Sequence, residues 1–189
     1  MARLIGKILL KGITGKFGKQ IVLRTGSNGK TILAKYPKKS NKPPSERQHE
    51  VRAKFKMAVH YAKKVTATPE LSEVYRKKLK KGDSIFQLAK NDFLRNPKIE
   101  KIDYGFYYGN KGDKILVTAL DDFEVTRVIA SINNKKGEII EKGECAMNEM
   151  TGVWKYLTTV SLADISGITI KATAFDNPGN TSELSVTIP

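Results

Sequence analysis

Hydrophobic and polar positions change period along this chain, and each change marks a different kind of structure. Between Met1 and Tyr36 short apolar runs are broken by glycine. Gln20 to Arg24 and Thr31 to Tyr36 are rich in β-formers and flank Ser27-Asn28-Gly29-Lys30. Asn-Gly suits a tight turn whose central residues need positive φ, so these runs predict a β-hairpin. From Ser45 the spacing becomes helical. Val51, Phe55, Ala58, Val59, Ala62 and Val65 recur every three or four residues, the stripe of an amphipathic helix. Ser45 with Gln48 forms a capping box, and Glu46 suits the positive end of the helix dipole. A second helix is expected to start at Thr68-Pro69-Glu70, present Leu71, Val74, Tyr75 and Leu79, and stop at Gly82. A third, about Ser84 to Leu94, presents Ile85, Phe86, Leu88, Ala89, Phe93 and Leu94. Isolated hairpins are marginal in water, so the hairpin is expected to share one small core with these helices.

Beyond Ile99 the period falls to two. Strand-like runs at Ile102 to Tyr108, Lys114 to Ala119, Glu124 to Ile132, Gly137 to Glu141, Val153 to Val160, Ile168 to Phe175 and Glu183 to Ile188 are separated by turn signals. Spacing of about ten residues is the pattern of a β-sandwich. Alternation is clearest at Ile170, Ala172 and Ala174, and Trp154, Tyr156 and Phe175 are expected to supply core bulk. The fold class expected is an α+β N-terminal module, a hairpin plus three short helices, followed by an all-β sandwich. Proline disfavours helix at the residue before it, so the boundary is placed at Asn96-Pro97, giving units 1–96 and 97–189.

Charge sharpens that division. The 189 residues carry a net charge of +15. Residues 1–96 hold 24 Lys and Arg against six Asp and Glu, while 97–189 hold ten against 13. Surfaces built for solubility intersperse both signs. A one-signed surplus repels itself, and an anionic partner relieves it. The candidate contacts are Lys35, Lys38, Lys39, Lys42, Arg47, Arg52, Lys56, Lys63 and Lys64, in the connector and first helix. Contacts of this kind go to phosphates and carry no base reading. Tyr36 and Tyr61 are candidates to stack on bases, with a core role as the alternative for each. Part of the surplus has a local cause, since Arg76 to Lys81 crowd the end of the second helix, where cations suit the dipole.

Other chemistries find little purchase. Gly29-Lys30-Thr31 matches the end of a phosphate-binding loop, but position 24, where that motif needs glycine, is Arg24. His49 and His60 lie about 16 Å apart on one helix, too far to share a metal. Cys145 is the single cysteine, so no internal disulfide and no zinc spacing exist. The β-rich half contains no histidine for a serine triad, and nothing in the spacing singles out Glu141, Glu144 or Glu149. No enzyme and no cofactor is expected. Asp121, Asp122, Asp176, Asn177 and Asn180 fall in turns, where they either cluster to hold Ca²⁺ or serve as ordinary turn residues. No apolar run approaches the ~18 residues of a membrane span, and Met1 to Lys11 make a poor signal peptide.

Two resemblances add to this. Gly12-Ile13-Thr14-Gly15-Lys16-Phe17-Gly18, Asn28-Gly29-Lys30, then Pro44, Gln48, Arg52 and Phe55, and later Gly82-Asp83-Ser84-Ile85-Phe86 and Asn91 follow a recurring order. This part resembles an uncharacterised family of small bacterial proteins with a Ser-Gly-Lys-x-Gly hairpin and a Pro…Gln…Arg…Phe helix, with Thr14 in place of the usual serine. That similarity implies a fold unit and no activity. Ile170-Lys171-Ala172-Thr173-Ala174-Phe175-Asp176-Asn177-Pro178-Gly179-Asn180, with Asp121-Asp122 and Gly152-Val153-Trp154, resembles the last hairpin and framework of bacterial Ig-like domains. Such domains serve as spacers, adhesive modules or decorations on cell-surface and phage proteins. The function expected is thus a non-enzymatic binding protein whose basic module contacts nucleic acid or another polyanion and whose Ig-like module contacts a protein. The alternative is a structural or adhesive component of a phage particle or cell surface. A cytoplasmic or virion-associated location is expected.

Overall fold

The computed structural model describes residues 2–4, 14–26, 29–38 and 42–189. The chain opens with a four-stranded antiparallel sheet. Its strands are β1 (Ala2–Leu4), β2 (Gly15–Phe17), β3 (Ile21–Thr25) and β4 (Thr31–Lys35), in the order β1-β4-β3-β2. The expected hairpin is β3–β4, with Thr25 opposite Thr31. Gly29 sits at φ +71°, the left-handed conformation the turn requires, and its N–H donates to the Gly26 carbonyl at 2.9 Å. Asn28 of the turn signal lies outside the described residues.

Three helices follow: α1 (Glu46–Ala67), α2 (Pro69–Arg76) and α3 (Ile85–Leu94). At the start of α1 the Gln48 N–H donates to Ser45 Oγ and the Ser45 N–H donates to Gln48 Oε1, the expected reciprocal cap. Ser84 caps α3 through its Oγ, which accepts from the Gln87 N–H at 3.2 Å, without the return bond. α2 stops earlier than expected. It ends at Arg76 rather than near Gly82, and Leu79 is left exposed instead of joining the apolar stripe. Cationic side chains follow one another from Arg76 to Lys78, and Lys78 turns away to donate to the Phe123 carbonyl at 2.6 Å.

Ala62, Val65, Tyr75 and Ala89 form the buried centre of the helices, with Tyr61, Leu71, Ile85, Phe86 and Leu88 packed around it. The small Ala62 and Ala89 let α1 and α3 approach closely. The expectation that the hairpin completes this core is corrected. Among the described residues, no N-terminal strand contributes to it, and the cluster is closed by Phe123. The Phe123 ring lies 4.5 Å from the Tyr75 ring, a pair that buries aromatic area no β3–β4 side chain reaches. Pro37, Pro43 and Pro44 lie between β4 and α1, and the described residues there, 36–38 and 42–45, form neither helix nor strand.

Phe123 belongs to the third region. Here β5 (Lys98–Phe106), β6 (Lys114–Leu120), β9 (Ala146–Met147) and β10 (Trp154–Leu157) form one antiparallel sheet, ordered β5-β6-β10-β9. β7 (Val125–Asn133), β8 (Ile139–Glu144), β11 (Thr169–Asp176) and β12 (Thr181–Thr187) form another, ordered β12-β11-β7-β8. Both contribute to a single core that includes Ile115, Val117, Val128, Ile132, Trp154, Tyr156 and Ile170. Along β11 the buried positions are Ile170, Ala172, Ala174 and Asp176. Phe175, expected in the core, therefore falls on the other face, where the Arg127 guanidinium lies 4.4 Å from its ring centre. Period two forces this, since a strand cannot bury both Ala174 and its neighbour on one side.

The helices are docked on one end of this β region. The Asn180 side-chain amide donates to the carbonyls of Phe93 at 3.3 Å and Arg95 at 3.1 Å and to Asp176 Oδ2 at 2.7 Å. One residue of the β11–β12 turn thus satisfies carbonyls at the end of α3 that have no partner in the helix. Arg95 pairs with Asp122, and Asn96 Nδ2 donates to the Thr181 carbonyl at 3.3 Å. Asn180→Ala is expected to cost about 2 kcal/mol, because the part-buried Phe93 carbonyl and Asp176 carboxylate lose their donor together. Urea unfolding measures it, and a change under ~0.5 kcal/mol would show that water replaces the amide.

Candidate polyanion-binding surface

α1 spans 22 residues, about 33 Å of helix. Its buried side carries Ala58, Ala62 and Val65. Arg52, Lys56 and Lys63 fall within about 40° of one another on the far side of the helix, and all three are exposed. His49 and His60 lie beside them, also exposed. The sequence reading left both histidines out of the basic group, although 49, 52, 56, 60 and 63 are separated by three or four residues, the signal that places them on one face. Lys64 is exposed farther round the helix, and Arg47 is exposed in the first turn.

Lys35 ends β4, and Lys38 and Lys42 lie in the connector, all three exposed. Lys39 lies outside the described residues. The described candidate cations thus lie at the end of β4, in the connector and on α1.

Ion pairing separates the α1 cations Arg47, Arg52, Lys56, Lys63 and Lys64 from others in the same half. Arg76 pairs with Glu73, Lys78 with Glu124 and Arg95 with Asp122. Lys54 donates to the Leu94 carbonyl at 3.2 Å and to Asn96 Oδ1 at 3.4 Å. The two cations stapled to acids of the β region, Lys78 and Arg95, are both outside the candidate set. Among the described residues, no ion pair engages Arg47, Arg52, Lys56, Lys63 or Lys64. These five stay solvated and available to an anion.

The aromatic candidates part company. The Tyr61 hydroxyl shares a 2.9 Å hydrogen bond with the Tyr75 hydroxyl, and its ring lies 5.4 Å from that of Phe93. Tyr61 is thus a half-buried helix-packing residue. Tyr36 is half-buried, with Lys16 Nζ 5.8 Å from its ring centre.

Elsewhere the polar groups serve structure. Asp121 Oδ2 accepts from the Phe123 and Glu124 N–H groups, and Asp176 Oδ1 accepts from the Asn180 N–H at 2.6 Å. These are turn contacts. Among the described residues, no group of three or more His, Cys, Asp or Glu is arranged to hold a metal ion. Glu141 is buried, and its Oε2 accepts from Thr159 Oγ1 at 2.6 Å and Tyr156 Oη at 3.3 Å. Glu144 pairs with Arg127, and Glu149 is exposed. Cys145 is buried, and burial pushes its thiol up to about 12, far from the reactive thiolate range. No described helix is long and apolar enough to cross a membrane.

Comparison with known proteins adds no name to this surface. No family model matches the chain, and no curated protein matches it. Among solved structures, the chain is similar to the crystal structure of an engineered protein, at 17% identity and a TM-score of 0.35. The match covers 55% of this chain and 26% of that one, so the chain spans about a quarter of that protein.

Proposed function

We propose that this chain is a non-enzymatic binding protein that grips a polyanion, foremost nucleic acid, through phosphate contacts from α1 and the connector. The observation that carries this reading is the outward row of Arg52, Lys56 and Lys63, exposed and without ion pairs among the described residues. A polyanion recovers the self-repulsion energy of such a row and releases its own counterions. Tyr61 is engaged in packing, so contact with the phosphate backbone is favoured over base stacking. Units 1–96 and 97–189 take different roles, the first binding the anion and the second a protein partner.

The strand orders β5-β6-β10-β9 and β8-β7-β11-β12 match A-B-E-D and C′-C-F-G of an immunoglobulin-like sandwich, which supports the Ig-like reading of 97–189. Its 4-on-4 arrangement is held without a disulfide, since Cys145 is the single cysteine.

A salt titration of the full chain with a random-sequence 30-bp DNA duplex (~30 bp covers more than the helix length) tests the proposal. Affinity is expected to fall linearly with salt on a log–log scale. Joint Arg52→Ala, Lys56→Ala and Lys63→Ala substitution is expected to weaken binding roughly tenfold or more at ~50 mM salt and to reduce the slope by about 2–3. No retention of duplex at low salt, or an unchanged slope in the triple variant, overturns it.

A further inference from the structure

The least expected group in the molecule is a carboxylate sealed between the helices and the β region. Asp92 lies on α3 and is 3% exposed. Its Oδ2 accepts from the Tyr75 hydroxyl at 2.5 Å, and Tyr75 in turn shares a hydrogen bond with Tyr61. Three helices therefore meet in one chain of hydroxyls ending on this carboxyl. Its other oxygen, Oδ1, is buried with no hydrogen-bond partner. A sealed, half-satisfied carboxylate is costly when charged, because the single Tyr75 hydroxyl bond to Oδ2 does not replace the hydration that both oxygens lose.

The surroundings add to the cost. α1 offers Tyr61 and α2 offers Tyr75, both neutral donors. The β6–β7 turn brings Asp121 and the end of β11 brings Asp176, both within electrostatic range and of like charge. Asn180, from the turn after β11, donates to the Asp92 backbone carbonyl at 3.5 Å and to Asp176, not to the Asp92 side chain. Lys78 is the cation acting on Asp92, and its ammonium is turned toward the Phe123 carbonyl and Glu124.

We propose that Asp92 is a proton-dependent latch that holds the three helices against the β6–β7 and β11–β12 turns, closed while its carboxyl is protonated and loosened once it ionises. This goes beyond the polyanion reading and does not depend on it. Burial, opposed by the Tyr75 hydrogen bond and reinforced by Asp121 and Asp176, raises the Asp92 carboxyl to about 7. A carboxyl returned to water titrates near 4. The docked state thus binds more protons than the released one between about pH 4 and 7. Docking is strongest below that window, weakens as pH rises through it, and levels off above about 7. At neutral pH the latch is poised at its midpoint, and helices that carry the basic row loosen on the β region without any change in the row itself.

Amide hydrogen exchange of α3 in the full chain, divided by intrinsic exchange rates, reads the opening constant. It is expected to rise by about tenfold per pH unit from roughly pH 5 to 6.5 and to flatten near 7. In Asp92→Asn, which keeps the shape without the ionisation, the pH dependence of opening is expected to fall sharply, leaving only the smaller contribution of Asp176, whose carboxyl burial also raises. Carbon-detected NMR of the Asp92 carboxyl supplies a reading that needs no variant, with a midpoint near 7 expected. Tyr75→Phe removes the bond that favours the charged form and is expected to move that midpoint upward, an effect loss of packing alone does not produce. A midpoint below about 5, or equal pH dependence of opening in wild type and Asp92→Asn, overturns the latch.

Discussion

Replacing Tyr75 by alanine is expected to remove about 4 kcal/mol of stability and to melt the helices while the β region keeps its strands. Tyr75 is 1% exposed and is among the largest fully buried side chains of the molecule. Truncating a buried aromatic ring costs 3–5 kcal/mol through lost transfer energy and the cavity left behind. Here the ring also supports Phe123, so the cavity opens between helices and β region, where neither can collapse alone. The hydroxyl goes with it, leaving Asp92 Oδ2 without its donor beside an oxygen that already has none. Tyr75→Phe separates the two contributions, and about 1–2 kcal/mol is expected for the hydroxyl alone. Circular dichroism at the helical minimum during urea unfolding, followed alongside Trp154 fluorescence, measures both regions. Equal losses in the two variants would mean that the ring contributes little, and coincident helix and β transitions in Tyr75→Ala would mean that the two regions unfold as one unit.

The same residues show where sequence reasoning succeeds and stops. Ser45 and Gln48 are read correctly because a capping box is local, with every partner within four residues. β11 is read correctly because burial on one face imposes period two on the chain itself. Phe123 is missed because it sits in Asp121-Asp122-Phe123-Glu124, a polar turn with no periodicity, and its partner Tyr75 is 48 residues away. Docking between distant segments leaves no spacing signal. β9 is missed for a related reason. It is two residues long and is held by pairing with β10, not by its own pattern. Just past the early end of α2, Lys78 likewise reaches a distant acceptor, the Phe123 carbonyl, that no local pattern marks.

The candidate surface divides in the same way. The surplus of positive charge is countable in the sequence, and helical spacing puts Arg52, Lys56 and Lys63 on one side. Which cations are already engaged is a tertiary property. Lys54, Lys78 and Arg95 look equally available in the sequence, yet each is committed to the α3 end or to the β region. Their commitment has a use. It anchors the helices through cations on the inner side and leaves α1 free to present its outer side. Tyr61 illustrates the converse, an aromatic in a basic helix whose hydroxyl and ring are both consumed within the helix cluster.

Gly109→Ala is expected to cost about 4 kcal/mol, whereas Gly112→Ala, three residues on, is expected to cost about 1 kcal/mol. The backbone strain is the same at both, with φ +89° at Gly109 and +91° at Gly112, where an alanine side chain meets its own backbone. Space differs. A Cβ at Gly109 stands 2.6 Å from the Leu162 carbonyl oxygen and 2.9 Å from Ile165 Cγ2, while one at Gly112 meets nothing within 4 Å. The Leu162 oxygen belongs to backbone and has no rotamer to yield. Moving that segment also strains the 2.7 Å hydrogen bond from the Leu162 N–H to the Gly109 carbonyl, which ties the loop after β10 to the loop after β5. Leu162 and Ile165 pack against the shared core of both sheets, so the displacement is transmitted into packing rather than absorbed at the surface. Urea midpoints of the two variants measure the difference. Equal losses would show that conformational strain alone sets the cost and that the loop yields freely to the added methyl.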